Sequence, residues 1–128
     1  MAGLEGVQVV QVGGGDAAAL AGVLLADQGA DVVVVRSPSD LPVRWAGYDR
    51  GKTVVTGDPA ALVAKADVVI DGTPDGLPMP RPPATVWCRL HGGGGPPIEE
   101  LVAARTGLYE PPVGLRPRFH DVPAVTTT

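Results

Sequence analysis

Residues 7–36, VQVVQVGGGDAAALAGVLLADQGADVVVVR, restrict the fold of this chain more than any other stretch. An apolar run, Val7 to Val12, meets three glycines, Gly13, Gly14 and Gly15. An alanine- and leucine-rich segment with helical character follows from Asp16 to Gln28, Gly29 stops it, and a second apolar run, Asp31 to Val35, begins at once. A strand, a glycine turn, a helix and a strand within about 30 residues make the βαβ unit of a parallel sheet. The predicted class is therefore α/β. Glycines let the backbone approach a ligand closely, and the helix that follows aims its unpaired N–H groups at an anion. A phosphate-bearing ligand is the first functional expectation, and a packing turn with no ligand is its alternative.

Gly13, Gly15 and Ala18 fit the pattern G-x-G-x-x-G/A of dinucleotide-binding turns. The acidic residue that holds the ribose in NAD enzymes is missing from the end of the second strand, where Arg36 and Ser37 stand. Such a pair suits a phosphorylated ribose, either that of NADP or the 3′-phosphoribose of coenzyme A.

Composition narrows the function classes. The 128 residues suffice for one domain with one core. Hydrophobic residues make up 45% and aromatic ones only 4%, so Val, Ala and Leu must build that core. A formal net charge of −4 argues against a nucleic-acid binder, which carries a basic face. The single cysteine, Cys88, excludes an internal disulfide and a multi-cysteine zinc site, and a reducing, cytoplasmic setting is expected. No apolar run approaches the roughly 20 residues that span a membrane, and no signal peptide is evident. The many glycines and prolines concentrate after residue 71, so the first half reads as compact and the second as loops between short elements.

Within this frame Val7 to Val12 is expected to be buried on both faces, as parallel strands are. Asp16 is expected to cap the helix, with Leu20, Val23 and Leu24 facing the sheet. The polar segment from Ser37 to Gly51 reads as a functional loop. In it Arg44 and Arg50 are either phosphate contacts or solvated charges. Lys52 to Thr56 is a short strand, and Asp58 and Pro59 open a short helix ending at Ala66. Asp67 to Asp71 is the next strand. The loop Gly72 to Gly76 lies at its C-terminal end, where ligands bind in open α/β sheets. Thr85 to Leu90 reads as a further buried strand with Cys88 as a small core residue. His91, ahead of four glycines, is a turn residue or a general base. Ile98 to Thr106 reads as a helix that Gly107 stops.

Taken in order, the segments GLEGVQVVQVGGG, LLADQGADVVVV, DRGKTVV, ADVVID, VWCRLHGGGG and LVAARTGLY resemble the N-terminal part of the family III CoA-transferases, the group of formyl-CoA and carnitine CoA-transferases and α-methylacyl-CoA racemases. LLADQGADVV and DRGK are the most specific pieces. The resemblance runs from Gly3 to about Thr128, nearly the whole chain, and makes residues 1–128 the N-terminal part of the large domain, only the first portion of a family member. It implies a Rossmann-like parallel sheet with helices on both faces, in a large domain that binds CoA. It also implies a second, smaller domain and two chains threaded as interlocked rings. The remaining fold is then expected from a homo-oligomer or a complementary polypeptide.

By the same resemblance CoA lies across the first glycine turn and the loops after strands two and four. Gly15, Asp16 and Ala17 match the first CoA-contacting turn. Ser37, with Arg36 beside it, matches a phosphate-contacting position, and Gly72 and Thr73 fall under the adenine end. Asp121, in RFHDVPAV, matches the catalytic aspartate. Its carboxylate would attack an acyl-CoA thioester to give an acyl–aspartyl anhydride, which CoA converts to an aspartyl thioester before a carboxylic acid takes the CoA. Gly92 to Gly95 is the candidate oxyanion loop. Ile98 occupies the position of the racemase histidine, which favours the transferase. No tightly bound cofactor and no metal is expected; CoA and acyl-CoA are substrates. Two other readings stay open: a catalytically degenerate structural partner of an active homologue, and an NADP-binding module.

Overall fold

In a computed structural model of the chain, residues 3–13, 15–38, 40, 46–91, 105 and 106 are described. Five parallel strands form one sheet in the order β3-β2-β1-β4-β5. They are β1 (Gln8–Gly13), β2 (Asp31–Arg36), β3 (Lys52–Thr56), β4 (Val68–Gly72) and β5 (Val86–Arg89), with helix α1 (Gly15–Asp27) after β1 and the single turn α2 (Ala60–Val63) after β3. This is a Rossmann-like α/β fold. The molecule divides into two compact units, residues 1–90 and 91–128, and nearly all the described residues belong to the first.

Strand alternation decides what each face of the sheet meets. Val9 is registered with Val32 and Val68, and the three share a core with Ala18 and Ala30 on the α1 side. Val10, Val12, Val35 and Val69 project the other way and pack with Val63 of α2 and Ala66. Helices therefore cover both faces, and β1, the central strand, is buried from Val9 to Val12 as a two-sided parallel strand requires.

Helix α1 ends where the sequence places its stop. Gly29 takes φ +96°, its N–H donates to the Ala26 carbonyl at 2.9 Å, and the Ala30 N–H donates to the Leu25 carbonyl at 3.1 Å. This paired closure needs a left-handed residue at the glycine position. The start differs from expectation, because Asp16 lies inside the first turn of α1 and does not precede it. The buried face also differs. Ala18, Ala19, Gly22 and Val23 face the sheet, Leu20 is half-buried, and Leu24 is 54% exposed. Small residues bring the helix axis close to the strands, and the leucines then flank the contact.

α2 is shorter than the sequence suggests. The Asp58 carboxylate accepts the Ala60 N–H at 2.9 Å, as a capping side chain does. β5 is the larger departure. It is an edge strand of the described sheet, as β3 is; Val86 is 64% exposed and Cys88 is exposed, so Cys88 is not the core residue its apolar neighbours suggest. No helix among the described residues is long and apolar enough to cross a membrane.

Candidate functional site

The C-terminal ends of β1 and β4 meet where the strand order turns back, the crevice in which open α/β sheets bind ligands. Gly13 and Gly72 are registered partners there. Gly13 (φ +62°) and Gly15 (φ +55°) both adopt the left-handed conformation that carries the chain from β1 into α1. A Cβ on Gly13 would stand 3.3 Å from the Thr73 methyl and 3.4 Å from its backbone nitrogen, so glycine lets the two strand-end loops close up. A small open cleft lies beside this junction, lined by Gln11, Gly13 and Gly15, by Val34, Val35 and Arg36 of β2, and by Asp40.

The structure thus places Gly15 and Arg36 together in one cleft, with Asp16 and Ala17 in the first turn of α1 beside it. Ser37 follows Arg36 and is exposed; its N–H donates to the Asp40 carboxylate at 2.6 Å, and its carbonyl accepts the Asp40 N–H at 3.0 Å. Gly72 and Thr73 stand across the junction at the end of β4. Arg36 donates to Asp49 at 2.5 Å, which holds the guanidinium against the 3₁₀ turn Ala46–Asp49. Arg50 pairs with Asp27 of α1 at 2.5 Å, so one of its roles is to tie that turn to the helix. Arg44, Gly92 to Gly95, Ile98 and the expected nucleophile Asp121 lie outside the described residues.

Three side chains that the sequence reading passed over shape the site. Asp71, at the end of β4, is only 1% exposed. One carboxylate oxygen accepts the Thr73 hydroxyl at 2.6 Å and the Thr73 N–H at 3.1 Å, while the other accepts the Leu77 N–H at 2.9 Å and the Trp87 indole N–H at 3.3 Å. Burial pushes this carboxyl up, but the hydrogen bonds from Thr73, Leu77 and Trp87 outweigh it and hold the pKa below its usual value. The loop after β4 is folded around this one anion.

The other two are Gln11 and Lys52, which meet under α1. Lys52 Nζ donates to Gln11 Oε1 at 3.0 Å and to the Ala19 carbonyl at 2.7 Å. Gly22 makes room for them, since a Cβ there would fall 2.3 Å from Gln11 Oε1. Burial lowers the Lys52 pKa from 10.5 to about 8; Asp49 opposes the shift, and Arg36 and Arg50 add to it. A glutamine inside an apolar strand and a lysine opening a strand were the available signals, but only the fold shows that they meet.

The Lys52 shift has a definite sign. Its folded pKa lies below the unfolded value, so the unfolded chain binds more protons between about 8 and 10.5, and stability rises with pH across that window. Urea unfolding of the wild type and Lys52→Met from pH 7.5 to 10.5 should show an upward trend in the wild type that the variant lacks. Parallel trends would mean that Lys52 titrates as a solvated amine.

No family model matches the chain, and no curated protein matches it. Among solved structures, it is similar to the hypothetical protein Rv3272 from Mycobacterium tuberculosis, with 26% identity and a TM-score of 0.69 over 95% of this chain and 45% of that one. An orthorhombic form of the same M. tuberculosis protein gives 27% identity and a TM-score of 0.67 over 95% and 45%. A CAIB/BAIF family protein from Brucella suis shares the fold, with 22% identity and a TM-score of 0.65 over 96% of this chain and 44% of that one. The chain thus spans less than half the length of the structures it matches.

Proposed function

We propose that this chain is the CoA-binding portion of a family III CoA-transferase, an enzyme that moves CoA between an acyl-CoA and a carboxylic acid. The observation that carries this reading is the cleft at the β1–β2 strand ends, where Gly13, Gly15 and Arg36 come together beside the first turn of α1. Backbone N–H groups at a helix start and a guanidinium at the neighbouring strand end suit a phosphate-rich nucleotide. The CAIB/BAIF neighbour supports the same reading, because that family is the one the sequence segments resemble.

On this reading Gly15, Asp16 and Ala17 contact CoA at the first turn, Arg36 and Ser37 face its phosphorylated ribose, and Gly72 and Thr73 border the adenine end. Asp121 supplies the nucleophile. The assembly would be a homo-oligomer or include a complementary polypeptide, in a cytoplasmic setting. NADP is the competing ligand, since Arg36 in place of an acidic residue suits a 2′-phosphate equally.

Thermal shift separates the two. CoA at about 100 times its Kd should stabilise the chain by roughly 2.7 kcal/mol, with a smaller effect from NADPH at the same concentration. A larger shift with NADPH would replace the transferase reading by the NADP module. Stabilisation by neither would leave the degenerate structural partner.

A further inference from the structure

Gln11 has a donor left over. It is 3% exposed and lines the cleft, yet among the described residues its side chain has a single hydrogen-bond partner, Lys52. Lysine only donates while it is charged, so the carboxamide oxygen must face Lys52. The NH2 group, with two donors, is then turned elsewhere. Buried donors without an acceptor are costly and uncommon, and they call for an explanation. The carbonyl of Ala19 also holds Lys52, which fixes the ammonium that the Gln11 oxygen faces, and Gly22 lies over the glutamine tip.

We infer that Gln11 is a ligand-contacting residue on the floor of the cleft, donating its amide N–H to a phosphate oxygen of the bound nucleotide, and that Lys52 is the positioning residue that fixes the orientation of that amide. This rests on the CoA reading and deepens it, because it adds a contact from inside β1 to those of the glycine turn. Gly13 and Gly15 supply close approach to the backbone, Arg36, already paired with Asp49, lines the β2 side with Asp40, and Gln11 supplies a neutral donor. A neutral amide suits this place. A carboxylate would also satisfy Lys52, but it would present an acceptor to an anion.

Gln11→Glu tests this directly, since it keeps the shape and the Lys52 contact while removing both donors. Binding is measured by calorimetry on the full chain, with CoA and with adenosine 3′,5′-bisphosphate, alongside the melting temperature without ligand. Gln11→Glu should bind both at least about ten-fold more weakly with an unchanged or higher melting temperature. Gln11→Met, which removes the donor without adding charge, should lose about ten-fold. Lys52→Met should weaken both ligands less than Gln11→Met does, because the amide remains but is no longer held.

Wild-type affinity in Gln11→Glu and Gln11→Met would overturn the assignment and make Gln11 a structural residue wetted by solvent. Weaker CoA binding with unchanged binding of the bisphosphate would overturn the contact to the phosphates on the nucleotide's ribose. Failure of the wild type to bind CoA at all would overturn the CoA reading itself, an outcome distinct from the other two.

Discussion

Asp71→Ala should unfold in urea with a stability lower by about 3–4 kcal/mol, the largest loss expected from any single truncation among the described residues. The carboxylate is 1% exposed and collects two N–H groups, a hydroxyl and an indole N–H from Thr73, Leu77 and Trp87. Alanine leaves these donors around an empty space. Each buried donor that cannot reach water costs about 1–3 kcal/mol, and water reaching the half-buried Thr73 and Leu77 keeps the total below the simple sum. Such a loss is a large fraction of the roughly 5–15 kcal/mol that holds a domain together.

Asp71→Asn should be little better. Turned toward Leu77 and Trp87, the NH2 faces two N–H donors; turned toward Thr73, it faces one N–H and gains only the hydroxyl as an acceptor. The acid limb adds a second signature. The folded pKa lies below the ordinary 3.8, so Asp71 stabilises the fold fully above that value, and the contribution disappears as pH falls through the lowered value. The variant should therefore lose less stability than the wild type on acidification. A loss under about 1 kcal/mol would show that the β4–β5 loop is held by its apolar contacts, Leu77, Met79 and Trp87 against the buried valine cluster, and not by the anion.

The second large effect concerns chemistry. Incubation of the chain and whatever co-purifies with it with acyl-CoA, followed by hydroxylamine, should leave an aspartyl hydroxamate at Asp121, found by peptide mass spectrometry. In the proposed sequence an Asp121 carboxylate oxygen attacks the thioester carbon and expels the CoA thiolate, leaving a mixed anhydride. The thiolate then attacks the aspartyl carbon and releases the donor carboxylate. Each species carries an activated aspartyl carbon that hydroxylamine captures. Asp121→Asn lacks the attacking oxygen anion, and both hydroxamate and CoA exchange should fall by on the order of 10³-fold or more. CoA binding without any hydroxamate would favour the degenerate partner over the enzyme.

How far the sequence carried the fold depends on where each signal sits. Strands β1, β2 and β4 were legible because parallel strands with buried faces read as valine-rich runs, β3, a largely exposed edge strand, because KTVVT is β-branched, and α1 because Gly29 marks its end. β5 misled. TVWCRL has the composition of a buried strand, but exposure depends on sheet position, and the order β3-β2-β1-β4-β5 is decided by pairings far apart in sequence, such as Val9 with Val68. The leucines of α1 misled for a related reason. In an alanine-rich helix the largest side chains need not mark the buried face, because a close-packed stripe of Ala18, Ala19 and Gly22 serves better.

The site divides along the same line. Gly15 and Arg36 follow from local rules about what ends a strand and opens a helix, and the structure puts them in one cleft. Gln11 and Lys52 are 41 residues apart, so nothing local links them. Asp71 looked like a strand end, and its importance comes from Leu77 and Trp87, which reach it only after the loop has turned back.

The hollow beneath Gly22 bears on any redesign of this chain. Replacing a mid-helix glycine by alanine is a routine way to stiffen a helix, with a gain of about 1 kcal/mol. Here the added methyl group would collide with the glutamine–lysine pair. Positions 11, 22 and 52 therefore behave as a three-part joint: a methyl group at 22 has to push the glutamine or lysine tip aside, so an engineer trades a firmer helix against the arrangement of those tips.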